Sequence, residues 1–359
     1  MRKLFLGALA ALALACGDGG GDGDGGDEVF LPAPPGSVPP VGHPQLARVD
    51  DFCYVLDSPD LAAIGASQYD LAVIDYSADG SDARAFTRDQ ITALKASTAG
   101  KVVLAYLSIG EAEDYRFYWE LEGGRAGGDW RARPPAWLGP ENPDFPGNYK
   151  VRYWDPEWQA IIIANPGGHP VLGGEASYLD RVIAAGFDGV FLDIIDAFEF
   201  FGPPGDGGTG ERPTAAADMA AFIGAIAEHA RAAVPGFIIC QQNGENLMSP
   251  DLDIPLTAAE IAALLAAVDH LSLEDVFFQG EADENNGFAP LGQRILDADR
   301  YRQEGKLVTI IDYFDALRPG YSAADVDSFF TLAGDRGWVA YTGPRDLDRL
   351  VITPGHAPD

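Results

Sequence analysis

The stretch "GFDGVFLDIIDAFEF", residues 186–200, decides the fold. Gly186 marks a turn, and Val190, Phe191 and Leu192 then read as a strand. The run next sets Asp193 and Asp196 among apolar residues, with Glu199 just beyond. A carboxylate is costly to bury without a partner. Its placement at the end of an apolar strand therefore points to a site.

Seven other stretches have the same strand character: "FCYVLD" (52–57), "YDLAVIDYS" (69–77), "KVVLAYLSIG" (101–110), "GFIICQQNG" (236–244), "VDHLSLEDVF" (268–277), "KLVTIIDYF" (306–314) and "GWVAYTG" (337–343). Their nearly continuous hydrophobicity predicts strands covered on both faces. Helical segments lie between them. "SPDLAAI" predicts a start with Ser58 as N-cap and Pro59 in the first turn. Thr87 with Gln90, and Thr257 with Glu260, have capping-box spacing. The Ala-rich run from Thr214 ends before Pro235–Gly236, and another helix starts near Ser322. Strands alternating with helices in this way predict an α/β protein with a closed (β/α)8 barrel, a TIM barrel, over residues 48–350. A tail follows at 351–359.

The third βα unit carries a long insertion between Gly110 and Phe187. It holds five of the six tryptophans: Trp119, Trp130, Trp137, Trp154 and Trp158. Loops leaving strand C-termini build the active face of such barrels. Two readings fit the tryptophans: flat rings stacked on sugar faces, or a small core under a long loop.

The ends of the second to eighth strands contribute polar groups to that face. They are Asp75; Tyr106, Ser108 and Glu111; Asp193 and Asp196; Gln242, Asn243 and Glu245; Glu274 and Asp275; Asp312 and Tyr313; and Tyr341. One strand-end Asp is usually a cap, but a ring of carboxylates with aromatics suits glycoside hydrolysis. There one carboxylate attacks or stabilises the sugar cation and another protonates the leaving oxygen. A zinc site is poorly supported, because His43, His169 and His356 fall in loops, His229 on a helix and His270 near a strand start. A magnesium site of Asp and Glu alone stays open. No phosphate loop or serine elbow is present, and no cofactor or metal is assigned.

Lys plus Arg number 24 and Asp plus Glu 55, a net charge of −31. That argues against nucleic acid and anionic membrane surfaces as partners and suits a cationic one. A merely solubilising acidic surface is the other reading. Residues 1–16 read as an export signal: "MRK", an apolar run, and "LALAC" ending at Cys16. The ending resembles a lipoprotein cleavage site with Cys16 lipidated, with ordinary signal cleavage as the alternative. Residues 17–47, Gly/Asp-rich and then Pro-rich, predict a disordered tether. The expected location is the cell envelope or beyond. Cys53 and Cys240 read as buried free thiols.

"YLSIGEAEDY" (106–115), "VRYWDPEW" (151–158), "GFDGVFLDIIDAFE" (186–199), "QQNGENL" (241–247) and "SLEDVFF" (272–278) together resemble glycoside hydrolase family 114. The resemblance runs from about residue 50 to 345. It implies a (β/α)8 barrel that hydrolyses α-1,4-linked galactosamine polymers in endo fashion. By position it implies Asp193 as nucleophile and Glu274 as general acid/base. Asp75, Tyr106, Glu111, Trp154, Asp196, Asn243, Glu245, Asp312, Tyr313 and Tyr341 are then the candidate substrate-binding residues. Glu245, beside the fifth-strand amides, is an extra carboxylate that could take the acid/base role instead. A barrel acting on a neutral α-glycan, and a non-catalytic polysaccharide-binding barrel, are the competing readings.

Overall fold

A computed structural model describes residues 30–98, 100–119 and 130–359. All eight expected strands are present: β1 (Phe52–Val55), β2 (Leu71–Asp75), β3 (Val102–Ser108), β7 (Gly189–Asp193), β8 (Ile238–Gln242), β9 (His270–Glu274), β10 (Leu307–Tyr313) and β11 (Val339–Gly343). They form one sheet in the order β1-β2-β3-β7-β8-β9-β10-β11. Every pairing between neighbours is parallel. The first and last strands face each other across the seam, with the Phe52 and Tyr341 ring centroids 5.6 Å apart. The sheet is thus a nearly closed barrel with helices outside, as the apolar runs predict. Each strand is a residue or more shorter than its run at one or both ends, where the flanking residues enter the connecting loops.

The helix starts largely follow their signals. Thr87 with Gln90 caps α2 (Arg88–Lys95), and Thr257 with Glu260 caps α7 (Ala258–Ala267), each as a complete capping box. The Ala-rich run forms α6 (Ala215–Ala233). One start differs: α1 (Leu61–Ala66) is capped by Asp60, which accepts from Ala62 N–H and Ala63 N–H. Ser58 lies outside the helix at φ +53°. A carboxylate that can take two N–H donors displaces the serine from the capping position.

The insertion contains three strands with no alternating signal: β4 (Glu111–Glu113), β5 (Leu138–Glu141) and β6 (Asn148–Val151), antiparallel in the order β4-β6-β5. Trp119, Trp130, Trp137 and Trp158 are all buried. Their rings form a chain with centroids 4.8 Å apart between Trp119 and Trp130, 4.8 Å between Trp130 and Trp137, and 4.9 Å between Trp137 and Trp158. The core reading therefore holds for these four. Only Trp154 is half-buried, packed on Phe201 with Arg212 over its ring.

Residues 30–47 correct the expectation of a disordered tether where they are described. Arg302 donates to Pro39 O at 2.6 Å, Arg336 donates to Pro32 O, and Gly42 N–H to Gly305 O at 2.9 Å. Proline fixes φ and leaves its carbonyl free, so a Pro-rich run can lie extended and offer acceptors to arginines. Residues 1–29, including Cys16, lie outside the described residues. Among the described residues no helix is long and apolar enough to cross a membrane. Cys53 and Cys240 are free and buried.

Candidate active site

Strand register brings Asp193 and Glu274 together. Phe191 pairs with Cys240, and Cys240 with His270. Asp193 and Gln242 lie two residues beyond Phe191 and Cys240, and Gln242 pairs with Ser272. Glu274 lies two residues past Ser272. Side chains alternate with period two along a strand, so Asp193, Gln242 and Glu274 share the lumenal face at the C-terminal mouth.

The residue after each of these three strand ends has a left-handed backbone: Ile194 at φ +59°, Asn243 at +53° and Asp275 at +53°. This is uncommon for non-glycine residues and unfavourable for a β-branched one. Such strain gathers where a fold over-determines a functional geometry. Gly110 permits the close approach of β3 to the turn after β7, since a Cβ there would stand 2.1 Å from Ile194 O.

Both carboxylates are shielded, Asp193 at 8% exposure and Glu274 at 7%. Each has its own hydroxyl donor. Tyr106 O–H donates to Asp193 Oδ2 at 2.7 Å, and Tyr313 O–H to Glu274 Oε1 at 2.5 Å. Burial, then the charge of Glu274, pushes Asp193 well above the usual carboxylate range, against the Tyr106 bond. Burial pushes Glu274 up to about 7, opposed first by the Tyr313 bond. The Glu274 charge raises the proton affinity of Asp193, and two buried carboxyls so placed hold one proton between them near neutrality. Tyr54, fully buried, senses both. Neither amide atom of Gln242 has a hydrogen-bond partner, although the side chain lies beside Glu274.

A second group of charges borders Asp193. Lys150 Nζ on β6 lies 2.7 Å from Glu111 Oε1, which also accepts from Asn142 at 2.9 Å. Asp196 at the start of α5 (Ala197–Phe201) is raised by burial and lowered by Lys150. Glu199 is pushed to about 7 by burial, then by Asp196, and accepts from Asn246 at 2.6 Å. Glu245 is bound to Arg294, and Asp275 to Arg345 through bonds of 2.7 and 2.9 Å. Nothing in the sequence marks Lys150, Arg294 and Arg345, because they lie far along the chain from the acids they meet. Among the described residues no three His, Cys, Asp or Glu side chains form a metal cage; Lys150 faces Glu111 and Asp196, Arg294 faces Glu245, and Arg345 faces Asp275.

Three expected sugar ligands have other occupations. Asp312 accepts from the backbone N–H of Val276, Phe277 and Phe278 at 2.9, 3.0 and 2.8 Å, so it shapes the loop after Glu274. The Tyr341 hydroxyl accepts from Val351 N–H and its ring packs on Phe52 and Tyr69 at the seam. Asp75 pairs with Arg116 at 2.7 Å. Arg116 is fully buried, also pairs with Glu113 at 2.6 Å, and lies over the rings of Tyr76, Tyr106, Tyr115 and Tyr178. This cation supports the ring that donates to Asp193. Trp154 belongs to the insertion, and Tyr106, Glu111, Asp196, Asn243, Glu245 and Tyr313 gather round the two carboxylates or touch them.

A parallel barrel holding two shielded carboxylates at its C-terminal mouth, on separate strands, defines the class of barrel hydrolases that cleave glycosidic bonds. The comparisons specify the family. The model of glycoside-hydrolase family GH114 matches residues 37–357. An uncharacterized protein of Methanocaldococcus jannaschii is 36% identical over 303 residues, 83% of this chain and 77% of that protein. One of Thermotoga maritima is 33% identical over 314 residues, covering 86% and 85% of the two chains. The chain belongs to glycoside hydrolase family 114 and is a glycoside hydrolase. Among solved structures, the glycoside hydrolase domain of PelA from Pseudomonas aeruginosa has the same fold, with a TM-score of 0.55 and 17% identity. The match covers 84% of this chain and 97% of that chain.

Proposed function

We propose that the protein is an endo-acting hydrolase of α-1,4-linked, galactosamine-containing polysaccharide, with Asp193 as nucleophile and Glu274 as general acid/base. The observation that carries this reading is the pair itself: two shielded carboxylates on one lumenal face, each with its own tyrosine donor. In the first step an Asp193 oxygen bonds to the anomeric carbon. The bond to the leaving oxygen breaks as that oxygen takes the Glu274 proton. In the second step Glu274 takes a proton from water, and the water oxygen displaces Asp193.

The substrate class rests on charge. The chain carries a net −31, and acids outnumber cations at the mouth. A protonated amino-sugar polymer is drawn to such a rim, and salt weakens the attraction. The test is reducing-end release from galactosaminoglycan, chitosan and a starch-like polymer. The expected result is preference for galactosaminoglycan. Its KM should rise several-fold as ionic strength goes from about 0.01 M to about 0.15 M and the Debye length shrinks from about 30 to about 8 Å. Equal, salt-independent cleavage of the neutral polymer would assign a neutral α-glycan instead. Binding without cleavage would make this a carbohydrate-binding barrel.

The reading includes export and lipid attachment at Cys16, supported by the "LALAC" sequence. Incorporation of labelled palmitate that disappears in Cys16→Ser is the expected result; persistent label in the variant rejects that site.

A further inference from the structure

Sequence leaves Glu245 as a rival proton donor, but the geometry gives it another place. Helix α8 (Gly292–Gln303) carries Arg294 in its first turn. Arg294 Nε donates to Glu245 Oε1, and Nη2 lies 3.4 Å from Glu245 Oε2. The same guanidinium donates from Nη1 to the Glu274 backbone carbonyl at 3.0 Å and from Nη2 to Asn243 Oδ1 at 2.9 Å. Asn243 Oδ1 also accepts the Glu274 N–H at 3.2 Å. The Asn243 N–H is held by Ser272 O at 2.8 Å, which fixes its backbone.

We infer that Arg294, anchored by Glu245, is a positioning residue for Glu274: it locks the Asn243 amide so that the NH2 group, not the oxygen, faces the Glu274 carboxylate. A turned amide would set its NH2 group against two donors, the guanidinium and the Glu274 backbone N–H, and would leave its oxygen facing an acid. In the locked orientation Asn243 Nδ2 stands 3.5 Å from Glu274 Oε2. Catalytic hydrogen bonds of this length in a substrate-free site tighten on substrate binding. Because a guanidinium does not deprotonate in proteins, the lock holds throughout the catalytic cycle while Glu274 gives and regains its proton. Glu245 is then the counter-ion of the lock. This inference rests on the acid/base reading of Glu274.

Other groups also face Glu274. They are Tyr313 on β10, Gln242 on β8, Asp193 on β7, Tyr54 on β1, Asp275 at its own strand end and Arg345 beyond β11. None of them is altered by substituting Arg294, so a change in Glu274 titration with the charge at position 294 retained reports on the lock.

The test is a carboxyl-13C NMR titration of the full chain labelled in glutamate, with the Glu274 signal identified by its loss in Glu274→Gln. Arg294→Gln leaves Glu245 uncompensated and frees the amide. The Glu274 midpoint is expected to rise by about one unit, a tenfold gain in proton affinity. Arg294→Lys keeps the charge without the fork, so the amide is still freed and the midpoint is expected to stay raised, whereas a through-space charge effect alone would return it to the wild-type value. A raised midpoint in Arg294→Lys supports the inference, and decides it alone should Arg294→Gln fail to fold. A wild-type midpoint in folded Arg294→Lys overturns it. The titration needs no substrate. Failure of the wild type to cut any polymer would reject the proposed function and is distinct from failure of the lock.

Discussion

Asp193→Asn is expected to lower polymer cleavage on the order of 10⁴-fold while leaving the fold intact. The amide keeps an oxygen to accept from Tyr106 but can neither form the glycosyl ester nor offset positive charge at the anomeric carbon. Because burial and Glu274 both disfavour the Asp193 charge, its removal relieves repulsion and should not destabilise the barrel. Turnover by reducing-end release, with thermal melting as the fold control, decides the matter. Residual activity above about a tenth of wild type would be too large for loss of a nucleophile.

Glu274→Gln is expected to cost about 10²–10⁴-fold on polymer, the usual contribution of a positioned acid/base. On a galactosaminide with a strongly acidic leaving group the first step needs no proton, and much of that loss should disappear from the first chemical step. Asp193→Asn should gain nothing from the same substrate. If the two variants exchange these behaviours, the roles are exchanged.

The same substitution has an opposite effect on stability. Glu274 is raised from 4.5 to about 7 by burial, so the folded state binds its proton more tightly than the unfolded state. The contribution is fully present below pH 4.5 and is lost as pH rises through about 7. Glutamine suffers no such loss. Glu274→Gln should therefore be more stable than wild type at pH 8, on the order of 1–3 kcal/mol, with the difference fading at pH about 4. Urea unfolding at the two pH values measures it, and equal stability at pH 8 would contradict the raised proton affinity.

The barrel was legible in the sequence because strands buried on both faces read as apolar runs separated by turn residues and helix caps. The catalytic candidates were legible because acids interrupt those runs at their ends. The same continuity concealed which side each acid faces. In "IIDYF" nothing marks Tyr313 rather than Asp312 as lumenal, since a run apolar on both faces has no alternation to set its phase. That is why Asp312 looked like a sugar ligand while it binds three backbone N–H groups. The tryptophans were ambiguous because ring content suits a core and a sugar platform equally. Glu111–Glu113 and Asn148–Val151 are short and carry charged or amide side chains, so they have no strand pattern. Arg294 meets Glu245 from 49 residues away, a closeness only the closed sheet creates.

The Pro-rich segment ahead of β1 has a directional consequence. It runs from Gly42 beside Gly305, just ahead of β10, to Phe30 against Gly292, the first residue of the helix that carries Arg294. Phe30, where the described chain begins, therefore lies beside the catalytic opening of the barrel and not at its base.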